Sequence, residues 1–136
     1  MPILIGLDIG KKRSGIARAD ALGIVIKPLK TCLTNELIAE LKNLDENYGI
    51  EAIVVGMPCN EGFSTETIDF VKAKTEELKQ VFKNSEFHFV DERFTSKEAE
   101  SILKNKGVKL NKDNKELIDM YAAAIILEVF VGGDLG

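Results

Sequence analysis

No run of apolar residues in this chain of 136 approaches the roughly 20 needed to cross a bilayer. There is also no basic leader followed by an apolar stretch and a small-residue cleavage site. The expectation is therefore a cytoplasmic protein with no membrane partner. Cysteine is scarce: Cys32 and Cys59 stand alone, without C-x-x-C spacing. In a chain without an export signal they read as two reduced, semi-buried thiols. The single histidine, His88, excludes any site that needs two. Neither G-x-x-x-x-G-K-S/T nor G-x-G-x-x-G occurs, which removes two common glycine-rich phosphate loops. Repeats, low-complexity tracts and interdomain linkers are missing too, so residues 1–136 read as one domain.

An apolar content of 45% and a charged content of 29% describe a folded chain long enough for a real core. The net charge of −4 argues at first against a nucleic-acid partner. Its distribution argues the other way. Lys11, Lys12 and Arg13 form one cluster with Arg18 close behind, and Lys104, Lys106, Lys109, Lys112 and Lys115 form a second. Much of the acidic excess sits in 36–51 and 61–77. A local basic patch governs phosphate binding, whereas net charge governs solubility. Taken singly, each lysine reads as part of a solvated face.

Ile3, Leu4, Ile5 and Leu7 are too apolar for a surface edge and predict a central strand over 3–9. Residues 10–14 form a turn, and 15–21 a second strand with Ile16, Arg18 and Asp20 on one face and small residues on the other. A third strand begins around 24–26. Thr34 is a plausible N-cap for a helix carrying Leu37, Ile38, Leu41 and Leu44 on one face, closed by Gly49. A short strand follows over 52–56. Ile68, Val71, Thr75, Leu78 and Phe82 step by three and four, as a second amphipathic helix does. A fifth strand over 87–90 delivers Asp91, Glu92 and Arg93 at its carboxyl end. Thr95 with Glu98 and Asp113 with Glu116 are two capping boxes, each opening a helix, and the lysine-rich 104–115 between them reads as a mobile loop. Three antiparallel strands followed by alternating helix and strand give an α/β domain with a mixed five-stranded sheet and helices on both faces.

In such sheets function gathers outside the carboxyl ends of strands. Asp8, Asp91 and Glu92 all fall there. An ionised Asp8 buried within an apolar strand would cost several kcal/mol unless a cation answers it. The simplest alternative is that Asp8 caps the turn that follows. Asp119 lies in the last helix, one turn before Ala122, Ala123 and Ala124, which let that helix approach the sheet. Each acid alone reads as a structural salt bridge, with Arg13 or Arg93 as partner. Together they read as oxygen ligands for a hard divalent cation. Adjacent strand residues face opposite sides, so only one of Asp91 and Glu92 is expected to be a direct ligand.

Gly6-Leu-Asp8-Ile-Gly10-Lys-Lys-Arg13-Ser-Gly15-Ile-Ala17, Val54-Val55-Gly56-Met-Pro58, Asp91-Glu92-Arg93-Phe-Thr95-Ser and Ile118-Asp119-x-x-Ala122-Ala123 resemble, in order, the motifs of the YqgF/RuvX family. The resemblance implies a ribonuclease H-like fold and a nuclease dependent on Mg²⁺ or Mn²⁺. It implies a part in 5′-end processing of precursor 16S ribosomal RNA, hence ribosome biogenesis, or in resolving Holliday junctions. Carried over, the catalytic acids are Asp8, Asp91, Glu92 and Asp119, with Asp8, Glu92 and Asp119 as the metal ligands. Lys11, Lys12, Arg13 and Arg93 would approach substrate phosphate, joined by Lys106, Lys109 and Lys112 of the lysine-rich loop. The implied partners are precursor rRNA or branched DNA and ribosomal precursor particles, with the chain a monomer or weak homodimer. One departure is the segment after Gly-Met-Pro. There Cys59-Asn60-Glu61-Gly62-Phe63-Ser64 keeps the shape of the family's glycine-rich turn but not its wording.

Two other classes compete. Asp-x-Gly after a first strand also opens the phosphate loop of actin-like sugar and acetate kinases, but those close two such domains over ATP. An RNA-binding assembly factor without turnover is the stronger rival. Acids at all three places argue against it, because negative charge facing phosphate does not serve binding alone.

Overall fold

The apolar opening segment forms β1 (Ile3–Ile9), in which Ile5 and Leu7 are fully buried. The computed structural model describes residues 2–23, 25–58, 65–91, 95–107 and 114–132, without the side chains of 95–97. β2 (Arg13–Asp20) pairs antiparallel with β1, and β3 (Ile26–Leu33) antiparallel with β2. After α1 (Leu37–Tyr48), β4 (Ile50–Met57) joins the other side of β1 in parallel. α2 (Thr65–Val81) then leads to β5 (Glu86–Asp91), parallel to β4. α3 (Thr95–Asn105) and α4 (Lys115–Gly132) complete the described elements. The sheet order is β3-β2-β1-β4-β5, so β1 is the middle strand, as its apolar run requires.

Side chains alternate across the sheet and build two cores. Ile3, Ile5, Leu7 and Ile9 face α1 and α2, where Leu37, Leu41, Val71 and Leu78 meet them. Leu4, Ala17, Ala19, Val54 and Val90 face α4 through Ala123, Ile126 and Leu127. α3 lies outside α4 and packs Ala99 onto Ala122 and Ile125. With the sheet on one side and α3 on the other, α4 buries every residue from Ala122 to Leu127 and shows no single apolar stripe. No helix among the described residues is long and apolar enough to cross a membrane.

Several expectations need correction. β2 begins at Arg13, two residues before the expected start, because the tight turn brings Arg13 into register with Leu33 of β3. β3 runs on to Leu33; Ile24 lies outside the described residues. Thr34 does not cap a helix with its side chain. It opens a 3-10 turn, Thr34–Glu36, and its hydroxyl bonds back toward the sheet. Gly49 closes α1 as expected, at φ +78°, its N–H donating to the Asp45 carbonyl at 2.8 Å. Asp113, residues 108–112 of the lysine-rich segment and the 59–64 turn lie outside the described residues.

Candidate active site

Asp8 is the last residue of β1 before Ile9, and its partner across the antiparallel ladder is Gly15. Directly opposed residues share a face of the sheet, here the face covered by α4. A Cβ on Gly15 would meet the Asp119 carbonyl oxygen at 2.0 Å. A bare glycine is therefore what lets the first turns of α4 rest on β2 beside Asp8. Gly6 does the same one step down the strand, where a Cβ would meet Leu127 Cγ at 2.6 Å and the Ala123 carbonyl at 2.7 Å. Thr31 of β3 donates its hydroxyl to the Glu116 carbonyl at 2.7 Å and ties the start of α4 to the sheet edge. These contacts bring Asp119 near enough to Asp8 for the charge of one to act on the other.

The two acids repel. Burial pushes Asp119 up from 3.8 to about 6, and the charge of Asp8 pushes the same way. Arg13 and Lys115 pull it down, and Glu116 adds to the push. The Arg13 contact is loose, Nε to Oδ2 at 3.9 Å, with Asp119 28% exposed, so it does not neutralise the pair. A half-buried carboxylate raised by burial and by a second carboxylate offers hard oxygen donors, which fits a divalent cation.

The cations come from the turn between β1 and β2. Gly10 N–H donates to the Arg13 carbonyl at 3.0 Å, and a Cβ on Gly10 would meet that oxygen at 2.6 Å, so the closure needs glycine. Lys12 is exposed at its tip. Lys11 reaches Glu66 of α2 at 2.6 Å in an exposed pair, which is an interaction weak enough to exchange for phosphate. The Lys106 ammonium is 3.1 Å from the Tyr121 hydroxyl and 4.9 Å from the ring centroid.

Asp91 ends the edge strand β5 and is exposed. Phe87 packs toward α1 and α2 and Val90 toward α4, so alternation gives Asp91 the α1–α2 face, opposite to that of Asp8. Among the described residues, no group of three or more histidines, cysteines, aspartates or glutamates is placed to hold a metal ion. Glu92, Arg93, Lys109 and Lys112 lie outside the described residues.

The RuvX family model, described as Holliday junction resolvase, matches residues 2–132. The chain belongs to the RuvX family. A relative from Sulfurihydrogenibium sp. (strain YO3AOP1), named "Putative pre-16S rRNA nuclease", is 38% identical over 135 residues, covering 96% of this chain and 90% of its own. One of the same name from Azobacteroides pseudotrichonymphae is 34% identical over 130 residues, covering 94% of each chain. Among solved structures, T. thermophilus RuvC in complex with Holliday junction substrate matches at TM-score 0.58 and 13% identity, over all of this chain and 97% of that one. The fold is thus RuvC-like, within the ribonuclease H-like class.

Within this RuvX-family chain, sequence reasoning missed Gly6 and Gly15 as the seat of α4. The signal was present: Gly15, Ala17 and Ala19 give β2 a small-residue face opposite Ala123 and Ala124 of α4. It also missed the buried hydroxyl pair of Ser14 and Thr34, whose partners are 20 residues apart.

Proposed function

We propose that this chain is a nuclease dependent on Mg²⁺ or Mn²⁺ that cleaves the phosphodiester backbone of precursor 16S rRNA during 5′-end processing. The observation that carries the proposal is the pair Asp8 and Asp119, the second raised by burial and by the charge of the first, at the carboxyl end of β1 beside a cationic turn. Asp8, Asp119 and Glu92 would hold the cation. Asp91 lies on the far face, which supports taking Glu92, outside the described residues, as the third ligand. A bound divalent cation supplies positive charge to the phosphate and acidifies an attacking water. The chain's own groups do the rest. Arg13 and Lys12 hold substrate phosphate, joined by Lys11, Arg93 and the lysines at 106, 109 and 112. The buried helix behind Asp119 fixes its carboxylate. In this reading the protein is cytoplasmic, a monomer or weak homodimer, and meets its RNA within ribosomal precursor particles.

The family description favours a second reading, cleavage of a four-way DNA junction. Side-by-side assays with a precursor leader RNA and a synthetic junction, each with Mg²⁺ and Mn²⁺, test both. Faster cleavage of the RNA supports the first reading. Cleavage of neither, with tight RNA binding retained, would replace both with an RNA-binding assembly role.

A further inference from the structure

The turn that carries Lys11, Lys12 and Arg13 is fastened from outside by one residue. Thr34 donates its hydroxyl to the Gly10 carbonyl at 2.6 Å and its backbone N–H to the Lys12 carbonyl at 3.0 Å. Ser14 Oγ lies 2.8 Å from Thr34 Oγ1. A hydroxyl has one hydrogen, and that of Thr34 is given to Gly10, so Ser14 is the donor in this bond. Ser14 is fully buried and Thr34 is 3% exposed. Buried hydroxyls bonded to one another and to the turn have no solvent to fall back on. A further bond across the turn joins Gly10 N–H to the Arg13 carbonyl, so Arg13 leaves a backbone fixed on both sides. Its side chain shares the α4 face with Ala17 and Ala19, and its Nε lies 3.9 Å from Asp119 Oδ2.

We propose that Thr34, assisted by Ser14, is a positioning residue that holds Arg13 in place to contact substrate phosphate. The inference rests on the nucleic-acid-binding function proposed for the site. Freed from Thr34, the turn keeps its charge but loses its fixed aim, and a guanidinium recognises phosphate through fixed fork geometry.

The probe is a fluorescent single-stranded leader RNA, titrated in EDTA between 50 and 200 mM KCl, well below the melting midpoint of each variant. Each lost phosphate contact lowers the slope of log Kd against log salt by about 0.7. Arg13→Ala should lose about 0.7 and weaken binding about fivefold. Thr34→Val, which keeps the shape and removes the hydroxyl, should match it. Thr34→Ser should restore the wild-type slope, and the double variant should equal Arg13→Ala alone. If Thr34→Val does not fold, Ser14→Ala stands in for it, with a smaller loss in the same direction expected. A Thr34 or Ser14 variant that melts earlier yet keeps the wild-type slope, while Arg13→Ala loses it, would overturn the positioning role. An unchanged slope in Arg13→Ala would overturn instead the reading of Arg13 as a phosphate contact, and the inference with it.

Discussion

Asp119→Asn should make the metal-free protein more stable at neutral pH and remove its activity. In the fold the carboxyl titrates at about 6, and in the unfolded chain at its ordinary 3.8. Between those values the folded state keeps a proton that the unfolded chain has released. Stability from this group therefore falls as pH rises through the window, and the penalty stands in full above about pH 6. A gap of roughly 2 units corresponds to about 3 kcal/mol. With 28% of the side chain in water, screening brings this to about 2 kcal/mol. Asparagine keeps the shape, drops the charge and gives up only a loose 3.9 Å contact to Arg13. Urea unfolding in EDTA should show the variant about 2 kcal/mol more stable at pH 7.5, near 6 °C in melting midpoint at roughly 3 °C per kcal/mol. At pH 4.5 less than half of that gain should remain. Added Mg²⁺ should stabilise the wild type, by an amount that grows with its concentration, and leave the variant unmoved. A variant less stable by about 1 kcal/mol or more at both pH values, as the loss of a structural pair would make it, would refute the reasoning. It would make Asp119 the structural partner of Arg13.

Asp8→Asn should likewise be as stable as the wild type or more so, while metal-dependent cleavage falls by about 100-fold or more, measured as single-turnover rates. Gly15→Ala should lower stability by about 2 kcal/mol in denaturant titration, because its Cβ would meet the Asp119 carbonyl at 2.0 Å and the helix backbone must shift. Glu92→Gln should abolish metal-stimulated cleavage and Asp91→Asn should not; the reverse result would exchange their roles. Metal affinity, read by calorimetry, should weaken as pH falls through about 6, where Asp119 takes up its proton. Changing Lys106, Lys109 and Lys112 to alanine should flatten the salt dependence of RNA binding and leave the melting midpoint within about 2 °C, as surface changes do.

Periodicity carried most of the architecture, because burial acts on patterns that a chain displays locally. The apolar run of β1 announced a central strand, and the three-and-four spacing of Val71, Thr75 and Leu78 announced α2. The strand-end positions of Asp8 and Asp91 and the close approach of the alanine-rich α4 were legible for the same reason. Three features were not. That Asp8 and Asp119 come close enough for their charges to interact depends on which strand pairs with β1 and on where α4 lands, and Gly15 records the landing only as a missing side chain. That Thr34 bonds to the turn and not to its own helix depends on β3 returning beside β2, since a hydroxyl takes whichever acceptor the fold brings to it. The raised pKa of Asp119 belongs to neither residue alone. It arises because tertiary packing removes water and leaves two like charges together, and no sequence window contains both.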